Sequence, residues 1–130
     1  MAVAEKIVAE QLKALPDFRK WNNKGEIAFL PRILEPDEKI LGLTAALYRD
    51  HKWLVTVTDK RIIFLRRKLM EGITDQLLME GIESVKSETG FLFGRIIIGT
   101  RKGETLEINS VMKKDALLLT AMIEKEIISH

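Results

Sequence analysis

The stretch Trp53-Leu54-Val55-Thr56-Val57-Thr58-Asp59-Lys60-Arg61-Ile62-Ile63-Phe64 decides the fold of this 130-residue chain. β-Branched, aliphatic and aromatic residues dominate both of its halves, as is typical of strands. Between the halves, Thr58-Asp59-Lys60 has the chemistry of an Asx-type turn. The stretch therefore predicts an antiparallel hairpin, with one strand over residues 53–58 and the next over residues 61–66.

Similar short runs lie on both sides of this hairpin. They predict further strands at residues 39–48, 73–79, 82–88, 95–100 and 105–109. A compact loop between Gly90 and Gly94 and a tight turn at residues 101–104, where Gly103 can supply a positive φ, separate the last three. We therefore expect about seven strands joined by sequential hairpins into a meander.

Helices are predicted at both ends of the chain. Residues 112–128 carry one apolar stripe at three- and four-residue steps, formed by Ala116, Leu119, Ile123 and Ile127. This C-terminal helix can cover a sheet or close the mouth of a barrel. At the other end, a similar pattern predicts a helix over residues 3–15, and Pro31 makes a second helix short or kinked. The predicted organisation is a helical arm at residues 1–34 followed by a domain at residues 35–130.

Five stretches, taken in order, resemble the YokE-like bacterial pleckstrin-homology (PH) domain family. They are LPRIL at 30–34, EPDEKIL at 35–41, the central hairpin, TGFLFGRIII at 89–98 and KKD at 113–115. The resemblance implies an α+β, mainly β fold. This is a PH-like barrel of about seven antiparallel strands in two near-orthogonal sheets, capped by the C-terminal helix. Such folds host lipid binding, peptide binding and oligomerisation, so the resemblance does not choose among these functions.

Composition weighs against catalysis. The chain has no cysteine, only two histidines, no glycine-rich phosphate loop and no metal-ligand spacing. Asp50 and His51 are neighbours in sequence, and we interpret them as parts of a solvated turn. The sequence therefore predicts a protein that is not an enzyme, with no catalytic residue, no cofactor and no metal site.

The sequence also indicates where the protein acts. An absence of cysteine favours an intracellular protein, and charged residues interrupt the N-terminus too often for a signal peptide. No stretch approaches the ~20 apolar residues that cross a bilayer. We expect a cytoplasmic protein, with peripheral contact to the membrane left open.

Positive charge is concentrated between residues 49 and 68. Seven basic residues lie there against two acidic ones: Arg49, Lys52, Lys60, Arg61, Arg66, Arg67 and Lys68. Convergence of such side chains would make an anion-binding site. The competing interpretation is a solvated surface, because strand alternation sends Arg61 and Arg66 to different faces. A net charge of only +2 and the lack of a basic recognition helix weigh against nucleic acid as the partner.

A second candidate site is the apolar tip Phe91-Leu92-Phe93, where a hairpin normally carries polar residues. These side chains could fold back against the protein, lie in a subunit interface or insert into lipid. Our first hypothesis is a non-catalytic interaction module that binds a protein partner, or its own copies, through this tip or a free strand edge. The alternative is a peripheral membrane adaptor whose basic cluster binds anionic lipid head groups. Salt sensitivity separates the two.

Overall fold

The computed structural model of the chain describes residues 7, 10, 11 and 24–129, with Lys24 described by its backbone. Most of the helix predicted over residues 3–15 lies outside the described residues. Two four-residue helices follow, α1 at Lys24–Ile27 and α2 at Leu30–Ile33. Pro31 lies in the first turn of α2, where its missing N–H removes no intrahelical hydrogen bond.

Seven antiparallel strands and a C-terminal helix form the rest of the described chain, as the sequence predicted. The strands are β1 Ile40–Tyr48, β2 His51–Thr58, β3 Arg61–Lys68, β4 Glu71–Leu78, β5 Ile82–Thr89, β6 Phe93–Thr100 and β7 Thr105–Met112. A 3₁₀ turn at Met79–Gly81 joins β4 to β5, and the helix α3 spans Lys113–Ser129.

The strand order is β4-β3-β2-β1-β7-β6-β5, so β4 and β5 are the two edge strands. Strands β1 and β7 share a single residue pair, Leu47 with Asn109. Every other neighbouring pair of strands is joined by at least four residue pairs. The strands therefore form one continuous sheet, where the resemblance implied two near-orthogonal sheets, and this sheet consists of two well-paired blocks, β1–β4 and β5–β7, that meet at one narrow junction.

The first and third hairpins, β1–β2 and β3–β4, extend further than the sequence predicted. β2 begins at His51 rather than at residue 53, and β3 runs on to Lys68 rather than ending at residue 66. The turn residues Arg49 and Asp50 have φ values of 48° and 65°, and Leu69 has a φ of 57°. Such positive values suit tight hairpin turns but are usually supplied by glycine or asparagine. Aspartate is also a turn residue, and Asp50 was assigned to a turn, whereas Leu69-Met70 contains no residue that indicates one.

Helix α3 packs mainly on β5 and β6, and it contacts one face of the β1–β4 block at β1 and β2. On this face Tyr48 stacks on Phe64 with ring centroids 4.0 Å apart, and Trp53 meets Phe64 edge-on. The buried hydroxyl of Thr44 donates a 2.7 Å hydrogen bond to the carboxylate of Asp115 in α3. Because polar groups in a core need partners, this bond fixes how the helix sits on the strands.

The opposite face of the same block is covered by the arm. Leu54 pairs with Leu65, and both are fully buried together with Leu30 of α2. Arg61 lies on this face and donates a 2.9 Å hydrogen bond to the carbonyl of Ile33. The backbone N–H of Ile40 also donates to the side chain of Gln11 at 2.6 Å. The described part of the arm therefore completes the hydrophobic core on the outside of the sheet.

Candidate binding surfaces

The seven basic residues predicted as an anion site do not converge. In a meander, successive turns lie at alternate ends of the strands. Lys60 and Arg61 flank the β2–β3 turn, whereas Arg49 lies in the β1–β2 turn and Lys68 ends β3 beside the β3–β4 turn. The cluster is thus divided between the two ends of the β1–β4 block.

Arg61 is held in a buried ion pair. Its Nε and Nη2 donate to the two carboxylate oxygens of Glu38 at 2.9 and 2.8 Å, and Thr58 donates to the same carboxylate at 2.6 Å. The Glu38 side chain is fully buried. Burial opposes its ionisation, but the hydrogen bonds from Arg61 and Thr58 outweigh burial and hold the pKa of Glu38 below its usual range. Arg61 therefore stabilises the fold and is not free to bind a ligand.

Lys60 and Arg49 are also paired. The Lys60 ammonium contacts Asp37 at 2.8 Å and Glu35 at 2.9 Å, and hydrogen bonds to these carboxylates raise the pKa of Lys60. Arg49 contacts Asp75 at 3.3 Å and lies over the Tyr48 ring, 5.1 Å from its centroid. Three of the seven predicted cations are therefore neutralised locally.

The other four cations surround the β3–β4 turn. Within the described part of the chain, no carboxylate pairs with Lys52, Arg66, Arg67 or Lys68. The Arg66 guanidinium lies over Trp53, 5.1 Å from the ring centroid. Strand alternation places Arg66 and Lys68 on the α3 side of the hairpin, and Lys52 and Arg67 on the arm side. Uncompensated positive charge thus lies on both faces.

The tip of the β3–β4 hairpin carries two exposed apolar residues that sequence analysis missed. Leu69 is 86% exposed and Met70 is 89% exposed. We call this pair the Leu-Met tip. The signal was available, because two apolar residues directly follow Arg66-Arg67-Lys68 in the gap between two predicted strands.

A cleft of about 280 Å³ lies behind the Leu-Met tip, between the arm and the hairpin. Its lining residues are Gly25, Ala28, Phe29, Arg32, Arg67 and Met70, with no carboxylate among them. Arg32 lies over the Phe29 ring, 5.6 Å from its centroid. The Arg67 guanidinium lies against Gly25, where a Cβ atom would come within 2.9 Å of it.

The predicted aromatic tip, Phe91 to Phe93, lies at the β5–β6 turn. Phe91 is 91% exposed, Leu92 59% and Phe93 52%. The backbone is held in place, since Gly90 N–H donates to the Phe93 carbonyl at 2.8 Å and Lys113 N–H donates to the Leu92 carbonyl at 2.9 Å. The side chains therefore do not fold back against Trp53, α3 or the described part of the arm.

A depression of about 370 Å³ adjoins the aromatic tip and is lined partly by Thr89, Gly90, Phe93 and Gly94. Arg95 closes its polar side by bonding Glu88 at 2.8 Å and Glu107 at 2.7 Å. A projecting aromatic ring and a shallow depression consequently lie on the same patch of surface.

Comparison with known proteins identifies the fold. A model of the Bacterial PH domain family matches residues 34–125. The chain belongs to this family. The finer YokE-like assignment stays a prediction. No curated protein matches the chain.

Solved structures with PH domains share the fold of this PH domain. The Vps36 N-terminal PH domain superposes with a TM-score of 0.59 at 18% identity, covering 74% of this chain and 83% of that one. A DUF1696 family protein with a pleckstrin-homology domain from Shewanella loihica gives 0.50 at 17% identity, with 78% and 89% covered. The N-terminally truncated linker-DH/PH domains of p115-RhoGEF give 0.61 at 8% identity, covering 98% of this chain and 41% of that one.

PH domains generally act as non-catalytic modules that bind proteins or lipids. In this PH domain, Asp50 lies in the β1–β2 turn, His51 opens β2, and both are exposed. Among the described residues, no group of three metal-binding side chains is close enough to hold a metal ion. No helix in the same part of the chain is long and apolar enough to cross a membrane.

Proposed function

We propose that this PH domain is a non-catalytic interaction module that binds a second copy of itself through the aromatic tip. The observation that carries the proposal is the exposure of Phe91 on an anchored backbone. Burying such a side chain contributes about 2 kcal/mol. Three neighbouring apolar side chains are thus exposed to water, and burying them in an interface would contribute favourable free energy to binding.

A second copy is the partner that the shape of this patch fits best. A twofold interface requires a surface that is complementary to itself, so that each copy offers both a projection and a recess. Phe91 supplies the projection, and we assign the shallow depression beside it as the recess on the same patch. The free edge of β5 runs up to the same tip and offers backbone groups to a neighbouring strand. Another protein bearing an extended segment could use the same edge.

Mass measurement by light scattering over a range of concentrations tests this proposal. We expect the wild-type chain to associate as concentration rises, and to remain associated at about 0.5 M salt because apolar burial is not screened. Phe91→Asp with Phe93→Asp should leave a monomer. Leu69→Asp with Met70→Asp is the matched control, since it changes the other exposed tip. A wild-type monomer at every concentration would overturn self-association.

A second candidate function, the peripheral membrane adaptor, is favoured by the four cations without carboxylate partners. Near an anionic membrane each Lys or Arg contributes about 1 kcal/mol of attraction. We propose that Lys52, Arg66, Arg67 and Lys68 make this contact, whereas the paired Arg49, Lys60 and Arg61 do not. Such a protein would work in the cytoplasm, at the inner membrane surface. Co-sedimentation with anionic vesicles that is lost in high salt would support the adaptor.

A further inference from the structure

We infer that the Leu-Met tip enters the interfacial layer of an anionic phospholipid bilayer. This inference rests on the second candidate function above and adds to it the element that penetrates the membrane. The cations around the tip would then lie at the level of the lipid head groups.

The Leu-Met tip has a strained backbone conformation but gains no burial from it. Leu69 adopts a φ of 57°, a conformation that bulky residues rarely adopt and that asparagine or glycine would adopt without strain. Neither Leu69 nor Met70 gains burial in exchange, since both are more than four-fifths exposed. A strained backbone that presents two apolar side chains to water indicates a use for those side chains.

The surroundings of the tip select a lipid surface as its partner. Arg66, Arg67 and Lys68 precede the tip directly, and Glu71 is the acidic residue that follows it. Because the basic side chains alternate between the two faces of the hairpin, they form a positive collar below an apolar end. An anionic bilayer has the matching order, with negative head groups above hydrocarbon.

The cleft behind the tip also combines positive charge with apolar surface. Arg32 and Arg67 supply two guanidinium groups, which suit a phosphate oxygen, while Phe29 and Met70 supply apolar walls. A phospholipid carries an anionic phosphate next to its hydrocarbon chains. Only the arm brings Arg32 to this position, so the cleft depends on residues upstream of the family match.

Vesicle co-sedimentation of the full chain tests the inference. The vesicles contain phosphatidylcholine alone or phosphatidylcholine with phosphatidylserine, at low and high salt. We expect binding to the anionic vesicles and a loss of about tenfold for Leu69→Ser with Met70→Ser, because their buried area is removed. Arg67→Gln with Lys68→Gln should also lose binding. The matched control, Leu117→Ser with Ile128→Ser, changes two exposed apolar residues of α3 that belong to neither proposed surface, and it should bind like the wild type.

The outcomes separate the inference from the function on which it rests. Normal binding by the Leu69→Ser, Met70→Ser variant together with loss by the charge variant would overturn insertion and leave the electrostatic adaptor standing. An absence of wild-type binding to anionic vesicles would overturn both. An equal loss in the Leu117→Ser, Ile128→Ser control would also overturn the assignment to the β3–β4 hairpin.

A fluorescence measurement gives an independent readout that does not depend on affinity. In the variant Leu69→Trp, the new indole should be quenched by lipids brominated on their acyl chains. Quenching no greater than that of the native tryptophans, with the protein fully bound, would place the tip outside the bilayer and overturn the inference.

Discussion

Strand β3 begins with Arg61 and ends with Arg66, Arg67 and Lys68, and the two ends use positive charge in opposite ways. Arg61 is desolvated and shared among Glu38, Ile33 and Gln76. At the other end no carboxylate of the described chain pairs with the cations, and the strand leads into an exposed apolar tip. A basic residue of this PH domain is thus either held in the fold or left without an ion pair according to the carboxylates that the fold brings to it.

The largest expected effect is a difference in stability between substitutions at the two ends of β3. Arg61→Ala should lower the free energy of unfolding by about 3–5 kcal/mol, because it leaves the Glu38 carboxylate buried without its partner. Arg67→Ala, at the exposed end, should change it by no more than about 0.5 kcal/mol. Urea unfolding of both variants measures the difference. Equal losses would show that the two ends do not differ in this way.

The same ion pair should make stability depend on pH. The pKa of Glu38 is lower in the folded state than in the unfolded state, so its contribution is fully present above the unfolded pKa of about 4.3 and is lost as pH falls through the folded value. The stability difference between wild type and Glu38→Gln should therefore shrink as pH falls from neutral to acid. Urea midpoints at several pH values test this. A difference that stays constant would contradict it.

For membrane affinity, unlike stability, we expect the larger effect from substitutions at the end of β3 that leads into the Leu-Met tip. Lys68→Gln removes one unpaired charge beside the Leu-Met tip and should weaken binding to anionic vesicles about fivefold, corresponding to about 1 kcal/mol. Lys60→Gln removes a charge that Glu35 and Asp37 already neutralise, so it should leave binding unchanged. Vesicle titrations of both variants give the comparison, and a stronger effect at Lys60 would reverse our assignment.

The smallest change in stability is expected at Arg66. Its guanidinium packs on Trp53, but it has no carboxylate partner among the described residues. Arg66→Met removes its contact with the Trp53 ring, whose contribution is about 0.5–1 kcal/mol. It also removes a buried Nε that has no hydrogen-bond partner among the described residues, which offsets part of that loss. Thermal unfolding should therefore show a small decrease in stability. A loss as large as that of Arg61→Ala would mean that Arg66 also belongs to the structural end.

The fold was largely predictable because the β-branched runs and the C-terminal stripe repeat with clear periods. Residues 61–66 and 105–109 were assigned to strands that the structure contains and extends. The tips were harder. Asp50 was assigned to a turn, although β2 begins earlier than predicted. Leu69-Met70 adopts a tight turn without glycine, asparagine or aspartate, so its sequence carries no turn signal and the ends of β3 and β4 were placed short of it.

The candidate surfaces were only partly predictable. The aromatic tip stood out because Gly90 and Gly94 frame it. The basic cluster was identified as a group, but its division depends on Glu35, Asp37 and Glu38, which lie more than 20 residues before their partners. Local patterns carry no information about such pairs. Arg32 was not considered as a ligand-binding residue because only the packing of the arm brings it to Arg67.

Because of the packing of that arm, the start of the family match differs from the start of the packed domain. The family match begins at residue 34, whereas Leu30 fills the outer face of β2 and β3 and Phe29 rests against Gly72. A protein cut at the start of the match would keep every strand, yet it would present Leu54 and Leu65 to water, and we expect it to aggregate. The family match is therefore shorter than the part of the chain that we expect to stay folded in solution, because it leaves out the segment with Phe29 and α2.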